Sequence, residues 1–360
     1  MTKRRNWAKS ALLGTALLLI AVFYNLPNLE FLGCRSGPVV EEPGGVWYQL
    51  YFTSPRYPDE EQYHTGGLDE RLAAAIDQAQ KSVDVAAYDF DLTRVAEALT
   101  AAHQRGVKVR LVTDTDNVDE GAVRSVQRAG IPVVDDERGA IMHDKFVVID
   151  GSAVWTGSWN LTENGTYRNN NNAVALQSLR LAENYTAEFG EMFEERAFGP
   201  GSPANTPYPK LKIGGVAVEN YFAPEDEVAE KLVSLLEGAQ SNIRFMAYSF
   251  THDGIGKAMR DRALAGVTVQ GVFESRSADN QYSEYGKLKE VRGVEVRQDG
   301  NPYIMHHKVI IIDDETVVLG SYNLSASADE RNDENVLVVH SAEFVAHYLS
   351  EFQRVWANAR

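Results

Sequence analysis

The sequence has almost no cysteine and a shortage of positive charge. Cys34 is the only cysteine among 360 residues, so the chain has neither an internal disulfide framework nor a cysteine-rich zinc site. Lysine and arginine total 35 against 51 aspartates and glutamates, which gives a formal net charge of −16. This balance argues against a protein that coats DNA through broad basic faces, although a local basic cleft is compatible with it.

The remaining composition is that of a globular protein of about two domains. Hydrophobic residues make up 44% of the chain and charged residues 24%, which is typical of folded rather than disordered proteins. At roughly 150 residues per domain, a chain of this length predicts about two domains. Each is long enough to bury a core without covalent cross-links.

A basic N-terminus followed by an apolar run predicts a membrane anchor or an export signal. Lysines and arginines within the first nine positions precede an uncharged stretch from Ala11 to Leu26, a pattern typical of secretory signals and signal anchors. No small-x-small cleavage site follows, which favours an uncleaved anchor. The positive-inside tendency then predicts a membrane-anchored or secreted protein whose folded domains lie outside the cytoplasm. A lipoprotein attached through Cys34 is a minor alternative.

An internal repeat divides the rest of the chain into two homologous domains. The stretch KSVDVAAYDF from Lys81 matches SNIRFMAYSF from Ser241, and IMHDKFVVID from Ile141 matches IMHHKVIIID from Ile304. The period is too long for a solenoid and indicates a duplicated domain. We assign the segments as follows: 1–44, signal segment plus linker; 45–198, first copy; 199–209, Pro/Gly-rich linker; 210–360, second copy.

Each copy alternates helices with apolar strands, which predicts an α/β fold. Apolar residues spaced by about four positions begin at Leu68 in the first copy and at Val228 in the second, and indicate a helix in each. Gly106 and Gly266 suit the C-terminal ends of the next helices. We expect two α-β-α sandwich domains with mixed sheets, related by a pseudo-twofold axis, with an active site at their interface.

One pattern of polar residues occurs once in each copy, with identical spacing. The first motif is His143-x-Lys145, Asp150 and Gly157-Ser158-x-Asn160; the second is His306-x-Lys308, Asp313 and Gly320-Ser321-x-Asn323. A histidine and a lysine two positions apart on a strand share one face. Two such sets around one cleft suit a singly charged phosphodiester, because ammonium and amide groups stabilise charge on the phosphoryl oxygens. One imidazole can attack phosphorus while the other protonates the leaving oxygen.

These motifs resemble the signature of the phospholipase D superfamily, over roughly residues 45–360. The resemblance implies a phosphohistidine intermediate, then hydrolysis or transfer to an alcohol, with no metal ion and no cofactor. It assigns His143 and His306 as nucleophile and general acid in some order. The other implied roles are phosphate binding by Lys145, Lys308, Asn160 and Asn323, support of the phosphate by Ser158 and Ser321, and structural roles for Asp150, Asp313, Gly157 and Gly320.

The two copies differ at an accessory position that follows each Gly-Ser-x-Asn segment. In the family an acidic residue here often orients the histidine; the second copy has Glu334, and the first has Asn171. A carboxylate fixes the tautomer and raises imidazole basicity, whereas an amide adds no charge. On that physics alone, His306 would be the better nucleophile and His143 the acid. Family precedent favours His143, and the order stays open.

The residues do not identify the substrate uniquely. The membrane-directed N-terminus and the acidic charge favour phospholipid head-group hydrolysis to phosphatidic acid at a membrane surface. The alternatives are an exported metal-independent endonuclease, which the net charge disfavours, and a phosphatidyltransferase similar to cardiolipin synthase. Because both motifs lie in one chain, we expect the protein to act as a monomer.

Overall fold

The computed structural model describes residues 39–42 and 44–360, whose strands form two mixed sheets. The first sheet contains β2 (Tyr48–Phe52), β3 (Ser82–Ala87), β4 (Lys108–Thr113), β5 (Val133–Asp135), β6 (Lys145–Ile149), β7 (Ala153–Gly157) and β8 (Asn172–Gln177). The second contains β1 (Val40–Glu42), β9 (Lys210–Ile213), β10 (Val216–Ala223), β11 (Asn242–Ala247), β12 (Thr268–Phe273), β13 (Val294–Gln298), β14 (Lys308–Ile312), β15 (Thr316–Gly320) and β16 (Glu334–His340).

The two sheets share one strand order. The first runs β2-β8-β7-β6-β3-β4-β5, and the second contains the equivalent series β10-β16-β15-β14-β11-β12-β13. Within these two equivalent series, three neighbouring strands are parallel, β3 to β5 and β11 to β13, and the other strands pair antiparallel. The predicted pair of homologous α/β domains with mixed sheets is therefore confirmed.

Ten α-helices cover the sheets within the described part of the chain. They are α1 (Leu68–Asp77), α2 (Thr93–Gln104), α3 (Gly121–Arg128), α4 (Leu179–Gly190), α5 (Val228–Glu237), α6 (Asp253–Leu264), α7 (Ser275–Ala278), α8 (Glu284–Lys289), α9 (Ala326–Glu330) and α10 (Ala342–Asn358). Leu72 and Ile76 of α1 are fully buried, as their helical spacing predicts. Just beyond α2, Gly106 adopts a φ of 91°, the left-handed conformation that ends a helix.

Helices α4 and α10 lie between the two sheets and join them into one core. Phe189 of α4 and Phe344 of α10 belong to the same buried cluster as Val148 of the first sheet and Leu337 of the second. Separate clusters fill the outer faces, where α1 to α3 cover the first sheet and α5, α6 and α8 cover the second. The motif strands β6 and β14 are buried along their whole length because helices pack on both of their faces.

The segment before residue 45, predicted to be a signal segment and linker, includes a short strand. Val40–Glu42 forms β1, which pairs in parallel with β9 at the edge of the second sheet. The Glu42 carboxylate also accepts a hydrogen bond from the backbone N–H of Arg180, at 3.1 Å, at the start of α4. The second sheet therefore includes three residues, Val40–Glu42, that the sequence analysis assigned to the N-terminal segment.

The predicted anchor, from Ala11 to Leu26, and Cys34 lie outside the described residues. Within residues 39–42 and 44–360, no helix is both long enough and apolar enough to cross a bilayer.

Candidate active site

Both motif lysines begin a central strand, and both histidines lie two residues before it. Lys145 pairs in register with Ala87, and Lys308 with Ala247. Each ammonium folds back on its own motif: Lys145 Nζ donates to the His143 carbonyl at 2.7 Å, and Lys308 Nζ donates to the His306 carbonyl at 3.1 Å. Lys308 Nζ also lies 3.1 Å from His306 Nε2. The imidazole and the ammonium therefore share one end of each strand.

Backbone contacts across the domain interface bring the two motifs together. The His143 N–H donates to the carbonyl of Asp333 at 3.0 Å, and the His306 N–H donates to the carbonyl of Asn170 at 2.9 Å. Isolated β-bridges join Met142 to Asp333 and Asn170 to Met305. Each histidine is thus anchored by the copy to which it does not belong, and the motifs meet at the predicted interface.

The side-chain partners of the histidines are exchanged between the copies as well. His143 Nδ1 lies 2.7 Å from Glu334 Oε2, and His306 Nδ1 lies 3.0 Å from Asn171 Oδ1. The inference that Glu334 supports His306 and makes it the better nucleophile is therefore wrong. The segment before β16 crosses the interface, so the carboxylate of Glu334, the first residue of β16, reaches His143 of the first motif. The carboxylate partner therefore lies beside His143, and the amide partner lies beside His306.

The contacts also determine which ring nitrogen each imidazole leaves free. When Glu334 is ionised it can only accept, so His143 Nδ1 then carries the proton and Nε2 keeps its lone pair. For His306, both neighbours of Nδ1 are acceptors, because the Ser158 carbonyl also lies at 3.0 Å. The Asn171 amide is held by its Nδ2, which donates to the Gly165 carbonyl at 2.9 Å and so directs its oxygen towards the ring.

Ser158 and Ser321, predicted to support the phosphate, point elsewhere. The Ser158 hydroxyl donates to Asn171 Oδ1 at 2.9 Å, and the Ser321 hydroxyl donates to Glu334 Oε2 at 2.7 Å. Both side chains are fully buried and accept from the backbone N–H that follows their partner. A hydroxyl has one proton, so these serines hold the groups that orient the histidines and have none left for a phosphate.

The side-chain oxygens of Asn160 and Asn323 remain available to accept a hydrogen bond at the site. Their side-chain oxygens are buried and accept no hydrogen bond from any described residue. A buried amide oxygen without a partner is unfavourable unless a ligand or solvent completes it. Of the neutral residues that the motifs supply, these two amides are the ones free to engage a phosphodiester.

Asp150 and Asp313 lie away from the imidazoles and close a turn in each domain. Asp150 accepts from the backbone N–H groups of Lys81 and Ser82 at 2.6 and 3.1 Å, and Asp313 accepts from those of Ser241 and Asn242 at 2.7 and 3.0 Å. Burial is the largest single effect and raises the pKa of both carboxyls, but the hydrogen bonds together outweigh it and lower the pKa below its usual value. Both residues have a φ of 55°, which places them in the tight turn after β6 or β14.

Gly157 and Gly320 allow two strands to approach closely beneath the site. Each has a φ of 145°, and a Cβ there would collide with the backbone carbonyl oxygen of Asn172 or Asn335. This approach carries Ser158 and Ser321 to their partners on the neighbouring strand. The two glycines are therefore steric requirements of the site.

Burial and mutual repulsion of the cations dominate the electrostatics of the site. Burial lowers the pKa of both motif histidines well below its usual value, and Lys145 and Lys308 lower it further. Burial lowers the pKa of Lys145 to about 8 and raises that of Glu334 to about 8. The imidazoles are therefore neutral and able to act as nucleophiles or bases, and an anionic substrate would relieve the repulsion between the lysines.

Two tyrosines complete the site, although the sequence analysis gave them no role. The Tyr88 ring packs edge-on to His143 at 4.9 Å, and the Tyr248 ring packs edge-on to His306 at 4.8 Å. Lys145 Nζ and Lys308 Nζ lie 5.1 and 4.9 Å from the same rings. The sequence signal that could have identified them is that Tyr88 and Tyr248 occupy equivalent positions in the two copies of the repeat. No cluster of three or more histidine, cysteine or acidic side chains that could hold a metal ion occurs among the described residues.

Comparison with known proteins supplies matches to both copies. A family model described as "Cardiolipin synthase, PLD-like domain" matches residues 72–193 and 232–356. A curated protein named phospholipase D from Rickettsia bellii is 32% identical over 155 residues, covering 41% of this chain and 77% of the relative. The mitochondrial cardiolipin hydrolase of Xenopus tropicalis is 32% identical over 134 residues, covering 37% of this chain and 64% of the relative.

A solved structure matches nearly the whole arrangement of two domains. The phosphatidylserine synthase of Haemophilus influenzae aligns with a TM-score of 0.64 over 87% of each chain, at 13% sequence identity. At that identity the likeness concerns the fold alone, and it agrees with two similar domains in one chain.

Proposed function

The chain belongs to the phospholipase D-like family, and on this premise we propose that it is a phosphodiesterase that hydrolyses phospholipid head-group esters to phosphatidic acid. The observation that supports this most directly is the exchange of partners at the interface. It gives two buried imidazoles, one beside a carboxyl group and one beside an amide, and two ammonium groups beside them. Such a set suits attack on phosphorus by one ring and proton transfer by the other.

We assign the nucleophile to His143 and the general acid to His306. His143 Nε2 attacks phosphorus, the bond from phosphorus to the head-group oxygen breaks, and His306 gives that oxygen a proton. The positive charge that develops on the His143 ring is stabilised by Glu334 at 2.7 Å. Water then attacks the phosphohistidine, His306 takes its proton, and the bond from phosphorus to nitrogen breaks.

The proton on His306 is supplied within its own motif. Lys308 Nζ lies 3.1 Å from His306 Nε2, so an ammonium proton can pass to the ring when an anionic substrate raises the pKa of both groups. Lys145, Lys308, Asn160 and Asn323 are the groups we assign to the phosphoryl oxygens, whose charge grows in the transition state. Ser158 and Ser321 act one step away, through Asn171 and Glu334.

A phospholipid is the substrate class we favour over a nucleic acid. The relatives quoted above are named for phospholipids, and a net charge of −16 disfavours a polyanion that binds through many phosphates. Transfer of the phosphatidyl group to an alcohol is a second outcome of the same intermediate. We further propose that the N-terminal run holds the domains at a membrane outside the cytoplasm, and that one chain suffices for activity.

The test is a substrate panel on the full chain in detergent, with EDTA present. Mixed micelles of phosphatidylcholine, phosphatidylethanolamine or cardiolipin are compared with single-stranded and duplex DNA. His143→Ala and His306→Ala should each abolish release of the head group, whereas His347→Ala, an exposed histidine on α10, should leave it unchanged. Cleavage of DNA with intact lipid would overturn the lipid assignment, and activity that survives either motif variant would overturn the mechanism.

A further inference from the structure

The loop that follows β2 is much longer than the equivalent loop of the second copy. Residues 53–67 join β2 to α1, whereas residues 224–227 join β10 to α5. Since β2 ends at Phe52, the longer loop leaves the sheet beside Asn171, which directly precedes β8. Asn171 Oδ1 holds the ring of His306. The first residue of this loop therefore lies next to a contact of the proposed general acid.

Thr53, the first residue of the loop, pairs with Asn171 partly through its side chain. The Thr53 N–H donates to the Asn171 carbonyl at 3.0 Å, as in a regular strand pair. In return, the Asn171 N–H donates to Thr53 Oγ1 at 2.7 Å. The Thr53 carbonyl accepts a hydrogen bond from Arg354 Nη2 of α10, at 3.1 Å. The hydroxyl therefore takes the place of a backbone carbonyl that is bonded to α10.

The Thr53 hydroxyl binds the backbone on both sides of Asn170. It accepts from the Asn171 N–H and donates to the Asn169 carbonyl at 2.7 Å, while its contact with the Asn171 carbonyl is longer, at 3.3 Å. Thr53 is only 5% exposed, so water does not compete for these bonds. One buried hydroxyl thus fixes the position of the segment 169–171 by donating and accepting at once.

The segment 169–171 holds both the backbone and the ring of His306. The His306 N–H donates to the Asn170 carbonyl at 2.9 Å, and His306 Nδ1 lies 3.0 Å from Asn171 Oδ1. Both contacts cross the interface, because the segment belongs to the first copy and the histidine to the second. The direction of the His306 ring therefore depends on where the first copy holds this segment.

The second copy shows that pairing of these strands does not require the hydroxyl. Ala223 pairs in register with Glu334, in the position that Thr53 takes opposite Asn171. Alanine has no polar side chain, yet Glu334 Oε2 still lies 2.7 Å from His143 Nδ1. The two copies therefore differ in a side-chain hydrogen bond and not in the presence of the strand pair.

We propose that Thr53 is a positioning residue for His306. The inference deepens the proposed function and rests on it, because His306 is there the acid that protonates the head-group oxygen. Thr53 acts through Asn170 and Asn171 and does not touch the substrate. Without the hydroxyl, the buried Asn171 N–H loses its partner, the segment shifts, and His306 Nε2 no longer points to the leaving oxygen. A displacement of about 1 Å in such a group can slow a reaction by about 100-fold.

The test compares two leaving groups on the same lipid in the variant Thr53→Val, which keeps the shape of the side chain. Phosphatidylcholine and phosphatidyl-p-nitrophenol are offered in mixed micelles under single-turnover conditions. Choline needs a proton in order to leave, whereas p-nitrophenolate leaves without one. Thr53→Val should slow choline release by about 10–100-fold and leave p-nitrophenol release near the wild-type rate. Thr53→Ser retains the hydroxyl and should restore choline release.

Thr113→Val is the matched control. The Thr113 hydroxyl is also fully buried and donates to a backbone carbonyl, that of Ala87, at 2.9 Å. Its loss should leave the ratio of the two release rates as in the wild type. Equal slowing of both substrates in Thr53→Val would show a general effect on the fold and would overturn the proposal. If Thr53→Val does not fold, Thr53→Ala, which reproduces the side chain of Ala223, serves for the same measurement.

The ring N–H signal of His306 separates this inference from the proposed function. Both neighbours of Nδ1 are acceptors, so its proton should give a low-field NMR signal, assigned by its loss in His306→Ala. Thr53→Val should shift this signal and Thr113→Val should not. A shift in a protein whose wild type cleaves no phosphodiester would support the positioning of the ring and reject the catalytic assignment. An unshifted signal in Thr53→Val would overturn the inference.

Discussion

Replacing Glu334 with glutamine removes the charge beside His143 and keeps the shape of its partner. Glu334 Oε2 lies 2.7 Å from His143 Nδ1, and the Ser321 hydroxyl donates to the same oxygen at 2.7 Å. The chain contains its own reference for the neutral case, because Asn171 Oδ1 holds His306 Nδ1 at 3.0 Å. The glutamine variant would thus make both histidine contacts neutral.

The magnitude follows from the difference between charged and neutral hydrogen bonds. Bonds to a charged group contribute about 1.5–3 kcal/mol and neutral bonds about 0.5–1.5 kcal/mol. The charge on the imidazole develops as phosphorus is attacked, so the difference of about 1–2 kcal/mol acts on the transition state. Formation of the phosphohistidine should slow by about 5–30-fold. Stability should hold or rise, because burial raises the pKa of Glu334 and glutamine removes the cost of a buried charge.

The assay is single-turnover formation of the phosphohistidine, with labelled substrate and quenching under alkaline conditions. Ser321→Ala is the matched control: it removes one donor to the same oxygen but keeps the charge, so it should slow the step less than Glu334→Gln. Thermal unfolding of both variants checks that the fold is intact. A Glu334→Gln protein that forms the intermediate at the wild-type rate would refute the assignment of His143 as the nucleophile supported by charge.

Three further changes test other parts of the structure. Gly157→Ala should destabilise the fold by roughly 3–5 kcal/mol, because the new methyl group would collide with the Asn172 carbonyl; unchanged thermal stability would contradict this. Asp150→Asn should lower the free energy of unfolding by about 1 kcal/mol at pH 7, because it weakens the hydrogen bonds from the N–H groups of Lys81 and Ser82. The difference from the wild type should shrink as the pH falls below about 3.8, because the wild-type carboxylate is then protonated. Denaturant unfolding at a series of pH values measures this. Hydrogen bonds, the one to His340 foremost, lower the pKa of Glu219 to about 2 despite its burial, so this carboxylate stabilises the fold above about pH 4.5 and loses that contribution as the pH falls towards 2. Glu219→Gln should therefore lower the free energy of unfolding by about 1–2 kcal/mol at neutral pH. An acid unfolding curve identical to that of the wild type would contradict this prediction.

The sequence contained enough information to predict the architecture and the main residues of the site. The repeat and its helical and strand spacing predict two α/β domains, because local patterning reflects which face of each element is buried. The glycines at 157 and 320 and the aspartates at 150 and 313 occupy turns or close approaches, as residues of these types at strand ends suggest.

The partners of the side chains could not be predicted, because they depend on how the domains dock. Glu334 lies in the second copy, and only the crossing of the segment before β16 brings it to His143. The family resemblance implied that Ser158 and Ser321 support the phosphate, yet their buried hydroxyls donate to Asn171 and Glu334. Likewise, alternation along a strand predicts that the residue between histidine and lysine faces away. It does not show that Asp144 accepts a hydrogen bond from Asn335, whereas His307 pairs with Glu351.

The exchange of partners between the copies has an evolutionary consequence. A single ancestral copy would have needed a twin to orient its histidine, and every substitution would have appeared in both halves at once. Joining two copies in one chain fixed their ratio and allowed each half to mutate alone. The differences between Asn171 and Glu334, and between Asp144 and His307, are changes that a symmetric pair of identical chains could not have acquired. Duplication would thereby allow the two roles proposed here, attack by His143 and proton transfer by His306, to be divided between the halves.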